Sequence, residues 1–313
     1  MTFDVTIPET APFDVVGFGL NAVDHLCIVP REAERGEKLK LVGFQRAPGG
    51  QAASAMVQCA RLGLRAKYVG KVGGDAIGEF SLESIRSEGV DVSDVPSVPE
   101  ATNQLAMIIV DETTGERTIF WDRPDGIATQ PDEITPEKVA VGRALLVDGH
   151  DAPAAAKAAR IAQERGIPVV MDAETVKEGT HETVAHTDLL VASSRFPSQY
   201  AGCADDIKAL TRILEQGPSL AVMTRGERGA VAIAKDGTMV ESPGFTVDVV
   251  DTTGAGDIFH GAFVYGLLAG WAVERTLDFS NAAAALNCTA VGARGGAAGL
   301  ETIEALMREQ GRG

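Results

Sequence analysis

Residues 251–263 read DTTGAGDIFHGAF. The run follows the β-branched stretch 245–250, which reads as a strand, and passes into apolar residues at helical spacing, so its glycines fall where a strand turns into a helix. Gly254 and Gly256 let the backbone come close to a ligand, Ala255 adds little bulk, and the first amides of a helix lack intrahelical acceptors. Such a turn suits a phosphate. Asp257 lies just past this amide cradle, where a carboxylate can take a proton from a hydroxyl attacking that phosphate. The plainer alternative makes Thr252 or Thr253 an N-cap and the glycines a turn.

Outward from this run, short apolar stretches alternate with longer helical ones. Residues 13–19, 66–72, 144–147, 167–171, 189–192 and 219–224 read as strands. Residues 51–60, 77–88, 152–165, 205–216, 259–268 and 273–289 read as helices. This alternation implies an α/β fold: a central, mostly parallel sheet with helices on both faces and ligands at the carboxyl ends of the strands. Two segments stand apart. Residues 38–46 (KLKLVGFQR) alternate polar and apolar, and residues 104–121 form a hairpin around the turn 112–115 with no helix on either side. Both therefore belong to a small separate sheet. With no internal repeat or low-complexity linker, residues 1–313 read as one domain.

Polar residues gather at the predicted strand ends. Asn21 and Asp24 leave the first strand three apart, and Gly49 and Gly50 precede a small-residue helix that Gln51 and Ser54 open. Asp75 reads as a helix cap, and Asn103 starts the hairpin. Asp148, His150 and Asp172 end strands, with His150 the candidate for substrate specificity. TRGERG, 224–229, closes a strand with two glycines on the same sheet edge as 251–263, where Arg225 or Arg228 can offset triphosphate charge. His181 and His186 are five apart, roughly 140° around a helix, and do not share a face as zinc ligands do.

The 313 residues, 45% hydrophobic and 23% charged, suffice for a sizeable core. A formal net charge of -16 disfavours nucleic acid and anionic membranes as partners. No apolar run approaches the ~20 residues that cross a bilayer. Four cysteines without CxxC spacing and the lack of a charged-then-apolar leader give the expectation of a reducing cytoplasm. No GxxxxGK[ST] run occurs, and Gly17 and Gly19 find Ala22 in the third GxGxxG position, which counts against a dehydrogenase.

The run 251–263 resembles the C-terminal signature of the PfkB-type carbohydrate kinases, the ribokinase family. APGGQAASAM, 47–56, is similar to the family's N-terminal signature, and GFGLNAVD, 17–24, to its GxGxNxxD-like start. VGGDAIG, 72–78, and TRGERG fit its VGxDxxG and TxGxxG patterns, so the resemblance covers nearly the whole chain. It implies a ribokinase-like fold whose small sheet, 38–46 with 104–121, is a lid over the sugar and a homodimer contact. The implied reaction moves the γ-phosphate of ATP to a hydroxyl of a small sugar or sugar derivative, with Mg2+ as cofactor and K+ as a further candidate. Asp257 is then the catalytic base, and Gly254, Ala255 and Gly256 the anion hole. Asp24, supported by Asn21, holds acceptor hydroxyls, because a carboxylate accepts two at once from a vicinal diol. Gly49, Gly50, Gln51, Ser54 and Asn103 lie beside it as substrate contacts. Thr224, Gly226 and Gly229 line the nucleotide, Asn287 and Cys288 border adenine, and Asp251 with loop 292–297 borders a monovalent cation.

Two departures from the family pattern stand out. Ser54 occupies a position where the family usually has asparagine, and VASSRFP, 191–197, replaces an NxxE motif linked to magnesium and phosphate, so no magnesium ligand is assigned. VDVVDTTGAGDIFHGAF, 247–263, and ALNCTAVGARGG, 285–296, look nearest to the ketohexokinase and sulfofructose kinase branch. A nucleoside kinase of the same fold is the runner-up, against which the 5% aromatic content speaks, since a base needs stacking partners. A sugar-binding regulator that lost its chemistry is the other alternative, favoured by the missing NxxE and opposed by Asp257.

Overall fold

The computed structural model describes residues 1–114 and 116–312. In chain order the first half contains β1 (Phe13–Phe18), β2 (Ala22–Val29), β3 (Gly43–Gly49), α1 (Gln51–Arg61), β4 (Ala66–Val69), β5 (Val72–Gly73), α2 (Ala76–Arg86), β6 (Ser97–Val98), β7 (Leu105–Asp111) and β8 (Arg117–Asp122). There follow α3 (Pro136–Val139), β9 (Gly142–Asp148), α4 (Ala152–Glu164), β10 (Val169–Ala173), α5 (Thr180–Ala185), β11 (Leu189–Ala192), α6 (Phe196–Ala201), α7 (Asp206–Leu214) and β12 (Leu220–Thr224). The chain closes with β13 (Ala230–Ala234), β14 (Met239–Ser242), α8 (Ala255–Leu268), α9 (Val273–Asn287) and α10 (Leu300–Glu309).

The large sheet has the order β14-β13-β12-β11-β10-β9-β1-β4. Strands β12 through β4 are parallel, and β13 and β14 are added antiparallel at one edge. Both faces are covered, which is why these strands read as continuous apolar runs rather than alternating ones. Val15, Leu146, Val170 and Val191 belong to one core with Met56 of α1 and Phe259 and Phe263 of α8. Their sequence neighbours Val16, Leu145, Met171 and Leu190 point the other way, into a second core with Ala155 of α4 and Leu210 of α7. Each such buried Val or Leu contributes about 1.5–3 kcal/mol. The parallel strands bring Gly19, Asp148, Asp172 and Thr224 to one sheet edge.

The small sheet is real, but its composition differs from the sequence expectation. Its order is β3-β2-β7-β8, with β2 at its centre, antiparallel to β3 and parallel to β7. The sequence reading had missed β2, because Asp24 and His25 interrupt its apolar pattern. Residues 38–42 form no strand: Val42 N–H still reaches the Ile28 carbonyl at 2.8 Å, but β2 ends at Val29 before Pro30, so residues 38–41 find no strand to pair with among the described residues. The expected strand 245–250 is also absent. The segment pairs with no strand among the described residues, with Val249 62% and Val250 60% exposed, and it is tied instead by Gln310 to Thr246 and by Val250 N–H to the Cys288 carbonyl at 2.8 Å. β-branched composition was its only strand signal, and no ladder takes it up. The turn expected at 112–115 includes Gly115, which lies outside the described residues.

Candidate active site

Gly254 is the N-cap of α8 with φ 73°, and a Cβ there would lie 2.2 Å from the Ala293 carbonyl oxygen, so only glycine fits. At Gly256 a Cβ would meet nothing within 4 Å, so that face of the turn is open. The Ala255 amide turns back to the Thr252 carbonyl at 3.3 Å, whereas those of Gly256 and Asp257 have no backbone acceptor among the described residues. The half-buried Asp257 carboxylate likewise has no hydrogen-bond partner there. Burial, then the neighbouring Asp172 carboxylate, hold it well above the usual carboxylate range. One turn along, buried His260 places Nδ1 2.6 Å from the Gly256 carbonyl and Nε2 3.4 Å from Asp172 Oδ1, which is why it packs rather than reaching a ligand. Asp172 is itself pushed well up by burial.

At the other end of the site, Asp148 organises the turn from β1 into β2. Its fully buried carboxylate accepts from Leu20 N–H at 2.6 Å, Ala52 N–H at 3.3 Å and His150 N–H at 3.0 Å, and it fills the space where a Cβ on Gly19 would sit. Three amides thus anchor β1, α1 and the β9 end together. Asp24, two residues into β2, faces Gly49, whose added Cβ would be 2.9 Å from Asp24 Oδ2. No hydrogen bond engages Asp24 among the described residues, and burial raises its pKa to about 6 against the pull of Arg294. Gly50 has φ 92° and no room for a Cβ beside Asn21. Asn21 is buried, bonded through Oδ1 to Ser81 Oγ at 2.6 Å, with Nδ2 unpartnered.

Gln51 spans to the β10 end, donating to Glu174 Oε2 at 3.1 Å and Asp172 Oδ2 at 3.5 Å. Gln51, His150, Glu174 and Lys177 line a small recess there. Burial, then Lys177 and Arg123, push the His150 imidazole down to about 4, so at neutral pH it is uncharged. Two expected substrate contacts are instead turned inward. Ser54 is fully buried with its hydroxyl taken by Arg294 Nε at 3.0 Å, because its position on α1 faces the core. Asn103 is 1% exposed, accepting from Gly73 N–H at 3.0 Å and donating to the Gln104 carbonyl at 3.1 Å, so it ties β5 to the start of β7.

On the other side of Asp257, Gly226 and Gly229 close a tight turn after β12, with Thr224 Oγ1 bonded to the Ala192 carbonyl at 3.3 Å. Arg225 is drawn to Glu241 at 3.3 Å, which leaves exposed Arg228 as the cation on this turn. Asn287 is fully buried, donating to the Thr253 and Ala293 carbonyls at 3.0 and 3.3 Å, so it braces the turn before α8 rather than presenting a side chain to a ligand. The Cys288 carbonyl holds the amides of Val250 and Asp251. Asp251 Oδ1 accepts from Thr253 N–H at 2.9 Å and Oδ2 from Gly292 N–H at 2.9 Å, which joins loop 292–297 to the same turn. No group of three metal-binding side chains is preformed among the described residues. That fits magnesium carried by a nucleotide, which needs one or two protein carboxylates plus phosphate and water. Sequence reasoning missed Glu174, the anchoring role of Asp148, and Arg294; an isolated acid or arginine in a loop carries no local signal.

The residues gathered at this sheet edge come from the whole length of the chain, and so does its likeness to known proteins. A family model described as pfkB family carbohydrate kinase matches residues 14–298. The chain is 27% identical over 278 residues to a ribokinase of Haemophilus influenzae, covering 87% of this chain and 90% of the relative. It is 25% identical over 304 residues to a 5-dehydro-2-deoxygluconokinase of Clostridium perfringens, covering 90% and 89%. A crystal structure described as a putative ribokinase from Agrobacterium tumefaciens superposes with a TM-score of 0.88 at 28% identity, over 95% of this chain and 98% of that one. The chain belongs to the pfkB family of carbohydrate kinases, with the ribokinase fold, and is an ATP-dependent enzyme that phosphorylates a hydroxyl of a small sugar or sugar derivative.

Proposed function

We propose that the acceptor lies between Asp24 on the small sheet and Asp257 at the start of α8, with Gly49 and Gly50 beside it. The observation that carries this reading is the pair itself: two largely covered carboxylates, each without a hydrogen-bond partner among the described residues, each feeling the charge of Arg294. Asp24 accepts hydrogen bonds from two acceptor hydroxyls. Asp257 takes the proton of the attacking hydroxyl as that oxygen bonds to the γ-phosphorus and the bond to the bridging oxygen breaks, releasing ADP. The raised pKa of Asp257 makes it a stronger base once ionised. The open amides of Gly256 and Asp257, fixed in place by the turn, hold the transferring phosphoryl group. Thr224, Gly226 and Gly229, with Arg228, line the nucleotide.

Glu174, an exposed carboxylate at the β10 end, is the residue that would hold magnesium in place of the missing NxxE. Bound magnesium supplies charge neutralisation on the phosphates. Asp251 and loop 292–297 are the proposed edge of a potassium site, tested by comparing turnover in potassium and sodium salts. His150 and Lys177 select among acceptors. The chain works as one kinase domain in the cytoplasm, as a homodimer through the lid, and sits nearest the ketohexokinase and sulfofructose kinase branch. A coupled ADP-release screen over ketoses, aldoses, sugar acids and nucleosides tests the acceptor class. Turnover of a ketose or sugar acid is expected; turnover of nucleosides alone, or sugar-dependent thermal stabilisation without turnover of anything, contradicts it.

A further inference from the structure

We propose that Arg294 is a positioning residue that holds the acceptor turn at Gly49 in register with the phosphate turn at Gly254 and directs its charge at Asp24 and Asp257. This rests on the roles just given to those two carboxylates. Arg294 is 6% exposed, and its side chain bonds only neutral groups among the described residues: Nη2 donates to the Gly49 carbonyl at 2.8 Å, Nε to Ser54 Oγ at 3.0 Å and Nη1 to Ser84 Oγ at 3.2 Å. A buried arginine ordinarily has a carboxylate against it, and even half-buried Arg61 has one in Glu88 at 2.6 Å. Arg294 has no carboxylate within 4 Å among the described residues. Its side chain therefore bears the cost of burial without a contact ion pair, and its pKa is pushed down to about 10.

Its charge instead acts at longer range. Asp257 on α8 and Glu88 after α2 stabilise the guanidinium, with Tyr68 on β4 acting in the same direction and Arg61 on α1 opposing it. In return it favours the ionised forms of Asp24, which Asp251 opposes, and of Asp257, which Asp172 and Glu174 oppose while His260 assists. The geometry makes the charge a spacer as well. Gly49 backs Asp24, and the residue before Arg294, Ala293, sits under Gly254, so one short loop touches both halves of the site. The unusual Ser54 belongs to this device, because its small hydroxyl leaves room for the guanidinium and accepts from it.

The test uses Arg294→Gln and Arg294→Lys in the full chain, with steady-state kinetics in acceptor and ATP across pH. In Arg294→Gln the acceptor KM is expected to rise about tenfold while the ATP KM stays within about twofold, and the acid limb of kcat/KM moves to higher pH. Arg294→Lys keeps the charge but not the planar fork, so it returns the acid limb to the parent position and leaves the acceptor KM raised. Equal changes in both KM values, or an acid limb that Arg294→Gln leaves in place, overturn the proposal. If Arg294→Gln does not fold, Ser54→Ala with Ser84→Ala keeps the cation and frees two of its donors; a raised acceptor KM at an unshifted acid limb then supports the positioning role, and an unchanged KM refutes it. A parent enzyme with no acid limb at all refutes the base assignment instead, so the two failures are distinguishable.

Discussion

Gly254 and Gly256 stand two residues apart in one turn, yet the structure gives them different reasons to be glycine. Gly254 has a positive φ and a carbonyl where its Cβ would be; Gly256 has a permissive backbone and empty space. Gly254→Ala should therefore lower Tm, through strain of the order of 1–3 kcal/mol, whereas Gly256→Ala should melt like the parent and lose turnover because its methyl occupies the phosphoryl position. Thermal melts beside kinetics check this, and a Gly256→Ala enzyme with parental turnover would move the phosphoryl group elsewhere. Asp24 allows a second prediction at this scale. Its folded pKa of about 6 lies above the ordinary aspartate value of 3.8, so the native state binds the proton more tightly and this group makes stability fall as pH rises through that window. Asp24→Asn should accordingly raise Tm by about 2 °C above pH 6, show no gain near pH 4, and weaken acceptor binding. A variant less stable than the parent at pH 7 would give Asp24 a structural task instead.

Among the elements, α8 and the parallel strands were legible because composition and periodicity agree there: strand β11 was read to the residue, and the start of α8 followed from its glycines. β2 was not. Its polar residues Asp24 and His25 are placed by pairing with β3 and β7, and such pairing is set by partners far along the chain. The stretch 245–250 erred in the opposite sense, a strand composition with no partner. The same logic explains the site. Asp257 and Asp24 sit in spaced motifs that a sequence displays, whereas Arg294 and Ser54 are 240 positions apart and meet only in the fold. If the β3-β2-β7-β8 sheet closes over the acceptor, amide exchange should slow in β2, β3 and β7 when sugar binds, and not in residues 38–41. Equal exchange with and without sugar removes the lid from the mechanism.

For the whole molecule, the small sheet is also the place where apolar surface is left uncovered: Phe44, Ile119, Phe120 and Trp121 are each more than half exposed. Such a patch marks an interaction site, and a second copy of the sheet is the proposed occupant. Trp121→Lys with Phe120→Lys should shift sedimentation from dimer to monomer without lowering Tm of the large sheet; a parent that sediments as a monomer refutes the arrangement. No helix among the described residues is long and apolar enough to cross a membrane. The large sheet carries the turn after β12 and the turn after β1 at separate places along one edge, and in the proposed arrangement the two substrates approach Asp257 from these opposite flanks. The most direct test is therefore the turnover of Asp257→Asn at saturating sugar and ATP. The account predicts a folded enzyme with acceptor affinity close to the parent's and kcat reduced about 10²–10⁴-fold. Turnover within about threefold of the parent, far short of the loss of a general base, would contradict it.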